Sequence, residues 1–162
     1  SVILLKLINC LSRNLGSKGL AGGQSLDLLY ENKSVSLNKI VRMYKMKTGA
    51  LFKFCCIGPF IMAGASKKEI KFASEYGSTF GLIFQILDDY LDVYGKKENI
   101  GKTPGKDNKQ RKSTILNYYN NKKSIHKHCL EIFRKFNDNN LYYLKKWPKL
   151  NWLLIYLIEQ LK

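Results

Sequence analysis

Apolar residues recur along this chain at intervals of three and four, which is the period of an α-helix. The pattern predicts six helices, over residues 2–10, 19–31, 37–54, 67–94, 113–136 and 150–162. Glycine and proline cluster only in residues 95–105 and around Pro59 and Pro148, so no linker divides the chain. We therefore expect one all-α domain over residues 1–162, built as an antiparallel helical bundle.

The helix predicted over residues 67–94 carries acids in a stretch that is otherwise almost wholly apolar. Asp88 and Asp92 are one turn apart, Asp89 lies beside them, and Gln85 is one turn before Asp89, so we expect a single acidic surface. Acids this close in a partly desolvated site need cations. Mg²⁺ fits, because it takes oxygen ligands and typically combines one or two carboxylates with substrate phosphates. The alternative is a solvated acidic turn near a helix end.

Two further segments carry lysines that could face an anion beside these acids. Residues 99–107 form a glycine-punctuated loop, so Lys102 can fold back over the acidic surface. Lys47 and Thr48 interrupt the apolar pattern of the helix predicted over residues 37–54. Each alone is explained as structural, by snorkelling of the lysine or by back-bonding of the threonine to its own helix. Together with the acids they predict a phosphate clamp.

Five short motifs follow one another in a fixed order. They are Gly-Gly-Gln-Ser-Leu-Asp at 22–27, Lys-Thr-Gly at 47–49, Phe-Gln-Ile-Leu-Asp-Asp-Tyr-Leu-Asp at 84–92, Gly-Lys-Thr-Pro-Gly-Lys-Asp at 101–107 and Lys-Ser-Thr at 112–114. In order and spacing these motifs closely resemble the trans-prenyltransferases, above all the bacterial farnesyl diphosphate synthases. The resemblance runs from about residue 19 to residue 162 and is loosest beyond residue 114. It implies the helical bundle of the isoprenoid synthases.

The resemblance implies roles for the charged residues of these motifs. Asp88, Asp89 and Asp92 match the second aspartate-rich motif of the family, which holds Mg²⁺ on the diphosphate of an allylic substrate. Lys47 and Lys102 match lysines that bind the same diphosphate. Metals and lysines together stabilise the negative charge that develops as the carbon–oxygen bond breaks.

The remaining motif residues are implied to surround the isoprenoid. Thr48 and Gln85 resemble residues whose side-chain oxygens face the allylic cation, which makes them catalytic together with the two lysines. Gln24 and Asp27 resemble substrate-binding residues near the isoprenoid and the metals. The implied reaction condenses dimethylallyl or geranyl diphosphate with isopentenyl diphosphate, giving farnesyl or a related diphosphate and releasing diphosphate. For Gly23, close packing of helices explains the residue as well as a role in the site does.

The chain also departs from the pattern of the family. The first aspartate-rich motif, and the arginine and histidine that grip isopentenyl diphosphate, have no counterpart here. We therefore expect the C-terminal half of a longer enzyme, or of a gene eroded at its start; the alternative is a noncatalytic or regulatory prenyl synthase subunit or an inactive fragment. Product length stays open, because the residues that set it precede the first motif. Four apolar residues would then lack partners and be exposed: Ile3, Leu4, Leu7 and Ile8.

The net charge of +16 introduces a different class of function. Basic clusters at residues 109–112 and 122–128 are of the kind that binds nucleic acid. Lysines are nevertheless spread along the whole chain, and a positive field also steers diphosphate substrates towards an enzyme. We therefore expect no nucleic-acid partner and keep nucleic-acid binding as a remote alternative.

Cysteine usage and hydropathy bear on location. Cys10, Cys55, Cys56 and Cys129 lack metal-ligand spacing and indicate free thiols in a reducing cytoplasm. No apolar run reaches about 18 residues, so we expect no membrane span. A homodimer is implied by the family resemblance alone.

Overall fold

The computed structural model describes residues 1–95, 113–119 and 121–162. These segments contain seven α-helices and one short 3-10 helix, Ile115–Tyr118, and no strand. The α-helices are α1 (Val2–Leu15), α2 (Leu20–Tyr30), α3 (Leu37–Lys47), α4 (Gly49–Met62), α5 (Lys67–Tyr94), α6 (Lys122–Lys146) and α7 (Pro148–Glu159). The prediction of an all-α bundle is therefore confirmed.

Helix α5 is the centre of the bundle, and its predicted range is confirmed. It begins with a capping box, in which the Ser66 hydroxyl accepts a hydrogen bond from Glu69 N–H and the Glu69 carboxylate accepts one from Ser66 N–H. The box satisfies two backbone donors that a helix start leaves without partners. α5 packs against α3, α4, α6 and α7. Fully buried side chains come from α5 itself and from α3, α6 and α7, among them Ile40, Phe72, Ile83, Ile86, Ile125, Leu154 and Ile158.

Helices α4 and α5 lie unusually close because they meet at glycines. A Cβ at Gly77 would lie 2.6 Å from Lys53 Cα, and a Cβ at Gly81 would lie 2.6 Å from Gly49 Cα. Both obstacles are backbone atoms, so no side-chain rotation could relieve the clash. Glycine at these positions therefore sets the spacing of the two helices.

The helix predicted over residues 37–54 is wrong as a single element. α3 ends at Lys47, and after the one-residue break at Thr48 α4 continues to Met62. Apolar spacing runs on across so short a break, so periodicity alone does not reveal it. α4 also contains Pro59, which lacks the backbone N–H of the other helical residues and lies beyond the predicted end at residue 54.

The helix predicted over residues 113–136 is wrong at both ends. α6 begins only at Lys122, where Asn121 Oδ1 accepts a hydrogen bond from Ser124 N–H. It then continues to Lys146 through a polar run, with a non-helical backbone at Asn140. The helix predicted over residues 2–10 is too short, because α1 extends to Leu15, and the helix predicted over residues 150–162 is shifted, because α7 begins at Pro148 and ends at Glu159.

One side of α1 is open to solvent. Ile3, Leu4 and Ile8 are 43%, 55% and 53% exposed, as predicted. Leu7 was expected to share this exposure, but it is half-buried against a small cluster that includes Ile57. Within the described segments, no helix combines the length and the apolarity needed to cross a membrane.

The four cysteines are free. Burial raises the pKa of the Cys56 thiol to about 11 and that of the Cys129 thiol to about 12. Both side chains are therefore protonated at neutral pH and behave as small apolar groups of the core.

Glu69 joins the start of α5 to the end of α6, and this contact makes stability depend on pH. Its Oε1 lies 2.9 Å from Lys146 Nζ. The hydrogen bond from Lys146, followed by those from Ser66, lowers the pKa of the Glu69 carboxyl to about 2. A carboxyl with a lowered pKa stabilises the fold above the pKa of the unfolded chain and loses that contribution as the pH falls towards the folded value.

We therefore expect the melting temperature to fall between about pH 5 and pH 2 more steeply in the unchanged protein than in the Glu69→Gln variant. Thermal unfolding followed by circular dichroism across this range measures the difference. Parallel curves for the two proteins would show that the ion pair does not contribute.

Candidate active site

The contact between α2 and α3 brings Asp27 and Lys47 together. The two helices meet at Gly23, where a Cβ would lie 2.2 Å from Lys47 N, so the close-packing explanation of this glycine is supported. One turn further along α2, Asp27 Oδ2 lies 2.5 Å from Lys47 Nζ. The two side chains are only 10% and 28% exposed, so water screens their attraction weakly. The glycine of the first motif thus positions the aspartate of that motif against the lysine of the second.

A second contact joins the break between α3 and α4 to the middle of α5. Thr48 Oγ1 donates a hydrogen bond to Gln85 Oε1 at 2.5 Å. Gln85 Nε2 in turn donates to Asp89 Oδ1 at 3.0 Å. Gly49 directly follows Thr48, and Gly81 lies one turn before Gln85. The close approach of these two glycines brings the two backbones near enough for the contact. The orientation of the glutamine amide is therefore fixed at both of its polar atoms.

The three carboxylates of the acidic run have different surroundings. Asp89 is only 3% exposed, and its Oδ2 accepts a hydrogen bond from the Tyr44 hydroxyl. Asp88 is exposed and Asp92 is half-buried, one turn apart on α5. The expectation of one shared acidic surface is therefore corrected, because two carboxylates lie at the outer face and the third points inward, where Tyr44 and Gln85 offer donors.

Tyr44 is a site residue that sequence reasoning missed. It belongs to the apolar stripe of α3 and is 3% exposed. Its hydroxyl donates to Asp89 and accepts a hydrogen bond from Ile115 N–H at 3.0 Å. A buried tyrosine hydroxyl requires a polar partner. Its position one turn before Thr48 was the available signal that the stripe leads into a polar site.

Three aromatic rings lie beside the contact of Thr48 with Gln85. The ring centroid of Phe52 is 4.9 Å from that of Phe80 and 5.1 Å from that of Phe84. Phe84 is 39% exposed, so this aromatic cluster extends from the core to the surface. It provides an apolar wall next to the hydroxyl and amide oxygens.

Two further residues belong to the predicted site. Gln24 is exposed on α2. Lys102, with the rest of the motif at 101–107, lies outside the described residues. A cleft between α3, α5 and α6, with a volume of about 610 Å³, is lined by other residues, such as Val41 and His128.

The carboxylate oxygens of the predicted site suit a metal ion that a bound ligand also coordinates. In residues 1–95, 113–119 and 121–162, no group of three or more histidines, cysteines and acids could hold a metal ion by itself. Asp88 and Asp92 supply two carboxylates one turn apart. Mg²⁺ is commonly bound through one or two carboxylates plus phosphate oxygens and water, so the pair fits Mg²⁺ shared with a phosphate.

Comparison with known proteins finds relatives that match most of this chain. The Polyprenyl synthetase family model matches residues 4–143. The chain is 35% identical to farnesyl diphosphate synthase of Micrococcus luteus, in a match that covers 99% of this chain and 55% of that protein. It is 43% identical to dimethylallyltranstransferase of Fischerella ambigua, over 68% of this chain and 32% of that protein.

Solved structures agree with the sequence matches. The structure of a geranyltransferase from Helicobacter pylori, complexed with magnesium and isoprenyl diphosphate, superposes with a TM-score of 0.81 at 28% identity. The superposition covers 99% of this chain and 52% of that one. A geranyltransferase from Legionella pneumophila superposes with a TM-score of 0.67 at 25% identity, over 99% and 50% of the two chains. The chain therefore spans about half the length of these relatives.

Proposed function

Because the chain belongs to the polyprenyl synthetase family, we propose that its residues form the allylic-diphosphate side of a prenyl chain-elongation site. The observation that carries this proposal is the hydrogen bond of Thr48 with Gln85. Gln85 also donates to Asp89, and Lys47 directly precedes Thr48. The contact sets neutral oxygen dipoles beside an apolar wall and charged groups at its edge. An allylic diphosphate has the matching distribution, with an apolar chain and a doubly charged head.

The charged edge would bind the diphosphate from two sides. Lys47 would donate hydrogen bonds to its oxygens, and Asp88 and Asp92 would hold Mg²⁺ against it. Bound Mg²⁺ would supply Lewis-acid stabilisation of the charge that accumulates on the leaving diphosphate. Asp27 keeps the Lys47 ammonium at the site while no ligand is bound, since the two charges form an ion pair.

The neutral oxygens would face the carbon end of the substrate. The Thr48 hydroxyl hydrogen is used on Gln85, so the threonine presents oxygen lone pairs to a ligand. Such oxygens stabilise a developing allylic cation by their dipoles. The rings of Phe52 and Phe84 exclude water, which would otherwise capture the cation.

The full reaction that we propose is Mg²⁺-dependent condensation with isopentenyl diphosphate, giving farnesyl or a related diphosphate and free diphosphate. The elements that bind isopentenyl diphosphate in the family have no counterpart in the 162 residues. The complete activity is therefore proposed for these residues together with the half of the enzyme that carries those elements. A homodimer is proposed on the family resemblance, and a cytoplasmic location is proposed on the free cysteines.

Calorimetric titration of geranyl diphosphate into the unchanged chain, with Mg²⁺ and with a chelator, tests the proposal. We expect saturable binding that requires the metal. Geraniol and inorganic diphosphate serve as matched controls, because each carries one end of the ligand, and each should bind more weakly than the whole.

Three outcomes would contradict the proposal. Equal binding in the presence of the chelator would remove the role of the metal. No binding to a folded sample would favour the noncatalytic subunit or inactive fragment. Salt-sensitive binding of an oligonucleotide in place of the diphosphate would favour the nucleic-acid alternative.

A further inference from the structure

Tyr44 connects the acidic run of α5 to a segment far from it in sequence. Its hydroxyl lies between Asp89 on α5 and the backbone of Ile115 at the 3-10 helix. We propose that Tyr44 is a positioning residue, which fixes the inward carboxylate Asp89 by tying it to residues 113–118. The consequence for ligand binding rests on the proposed function above.

The direction of each hydrogen bond is determined by the partners. Ile115 N–H can only donate, so the Tyr44 oxygen accepts from it at 3.0 Å. The hydroxyl hydrogen is then left for the Asp89 carboxylate. Asp89 is 3% exposed and Ile115 is 0% exposed, so water cannot replace Tyr44 without opening the core. A buried carboxylate that loses a donor is strongly disfavoured, so the pairing is maintained.

The segment to which Tyr44 ties Asp89 is itself anchored. The Ser113 hydroxyl lies 3.1 Å from the carbonyl oxygen of Tyr30, the last residue of α2, and 2.5 Å from that of Lys33, in the connection to α3. The Tyr118 hydroxyl donates to Val35 O in the connection to α3. Residues 113–118 are thus anchored near both ends by contacts that do not involve Tyr44. They can therefore hold the Tyr44 hydroxyl in a fixed position.

The carboxylate that Tyr44 fixes also controls the glutamine of the site. Asp89 Oδ1 accepts from Gln85 Nε2, whose Oε1 accepts from Thr48. A shift of Asp89 would therefore rotate the amide that faces the proposed allylic cation. Asp88 and Asp92 lie beside Asp89 on consecutive turns of the same helix.

The Tyr44→Phe variant tests this role, with Tyr76→Phe as a matched control. Tyr76 is equally buried on α5, and its hydroxyl donates to Leu150 O at 3.0 Å, away from the site. Both variants remove one buried hydroxyl. In Tyr44→Phe we expect exchange of the Ile115 amide hydrogen, followed by NMR, to accelerate about tenfold, as the loss of one hydrogen bond implies. In Tyr76→Phe this exchange should not change.

A double-mutant cycle with Asp89→Asn tests the coupling itself. Each single change should accelerate the exchange of Ile115, and the double variant should show less than the combined effect, because both act on one chain of hydrogen bonds. Independent effects would overturn the proposal. So would an unchanged exchange rate in Tyr44→Phe.

Ligand binding separates positioning from a purely structural contribution. We expect the Mg²⁺-dependent affinity for geranyl diphosphate to fall about tenfold in Tyr44→Phe and to stay unchanged in Tyr76→Phe. Faster exchange with unchanged affinity would make Tyr44 structural only and overturn the proposal. If the unchanged chain bound no geranyl diphosphate, the proposed function would fail, while the exchange cycle would still decide whether Tyr44 fixes Asp89.

Discussion

The Asp88→Ala/Asp92→Ala variant should lose Mg²⁺-dependent affinity for geranyl diphosphate by about 100-fold, which corresponds to about 2.8 kcal/mol. Both carboxylates lie at the outer face of α5, where they would be the metal ligands. Without these carboxylates the diphosphate would still contact Lys47, but the metal ion would be lost. The fold should persist, because neither side chain is buried and Asp89 retains its partners. Calorimetry gives the affinity, and circular dichroism verifies the fold.

A matched variant separates this effect from the overall charge. Glu131 and Asp138 are exposed on α6, so Glu131→Ala/Asp138→Ala removes the same two charges elsewhere. Any general change in electrostatic attraction would appear equally in both proteins. An equal loss of affinity in the two variants, or a full affinity in Asp88→Ala/Asp92→Ala, would rule out the two carboxylates as the metal site.

The Gly23→Ala variant should be less stable than the unchanged protein by about 2 kcal/mol. Its methyl group would lie 2.2 Å from Lys47 N and 2.6 Å from Lys47 Cα. These are backbone atoms, so α2 and α3 would have to separate, and the ion pair of Asp27 with Lys47 would be stretched. The loss should exceed the gain of about 1 kcal/mol that alanine brings to a helix interior. Urea unfolding measures the difference.

Gly49→Ala is the control for this prediction. Gly49 is also buried, at the first position of α4, but its added methyl would meet Ser78 O and Tyr44 O at 3.6 Å, which is ordinary contact distance. We expect stability to be equal to that of the unchanged protein or up to about 1 kcal/mol higher. A similar loss at both positions would mean that the close approach at Gly23 does not limit the packing.

Local sequence signals were sufficient where one element determines the outcome. The range of α5 was predicted correctly, because its apolar spacing is unbroken and Gly95 ends it. The motifs and their order also predict a set of site residues, among them Thr48 and Gln85. The contact of Thr48 with Gln85 agrees with that prediction, although the two residues are separated by 37 positions.

The errors arose where neighbours distant in sequence decide the structure. Helical spacing gives the angle of Asp89 on α5, but it does not show that Tyr44, 45 positions earlier, donates to it. The acidic run therefore looked like one surface. Likewise the side chain of Asn140, at the kink of α6, donates hydrogen bonds to Glu75 on α5 and to Phe136 O of its own helix. Periodicity cannot represent such cross-helix partners.

The ion pair of Asp27 with Lys47 couples the binding of a metal ion to the binding of an anion. An anion that recruits Lys47 leaves Asp27 as a shielded carboxylate, 10% exposed, without its cation. A metal ion nearby would restore the balance of charge, so anion and metal should each raise the affinity for the other by the same factor. Titrations of diphosphate at fixed Mg²⁺ and of Mg²⁺ at fixed diphosphate measure this factor from both sides. A factor of one would mean that Lys47 stays on Asp27 and the anion is held elsewhere.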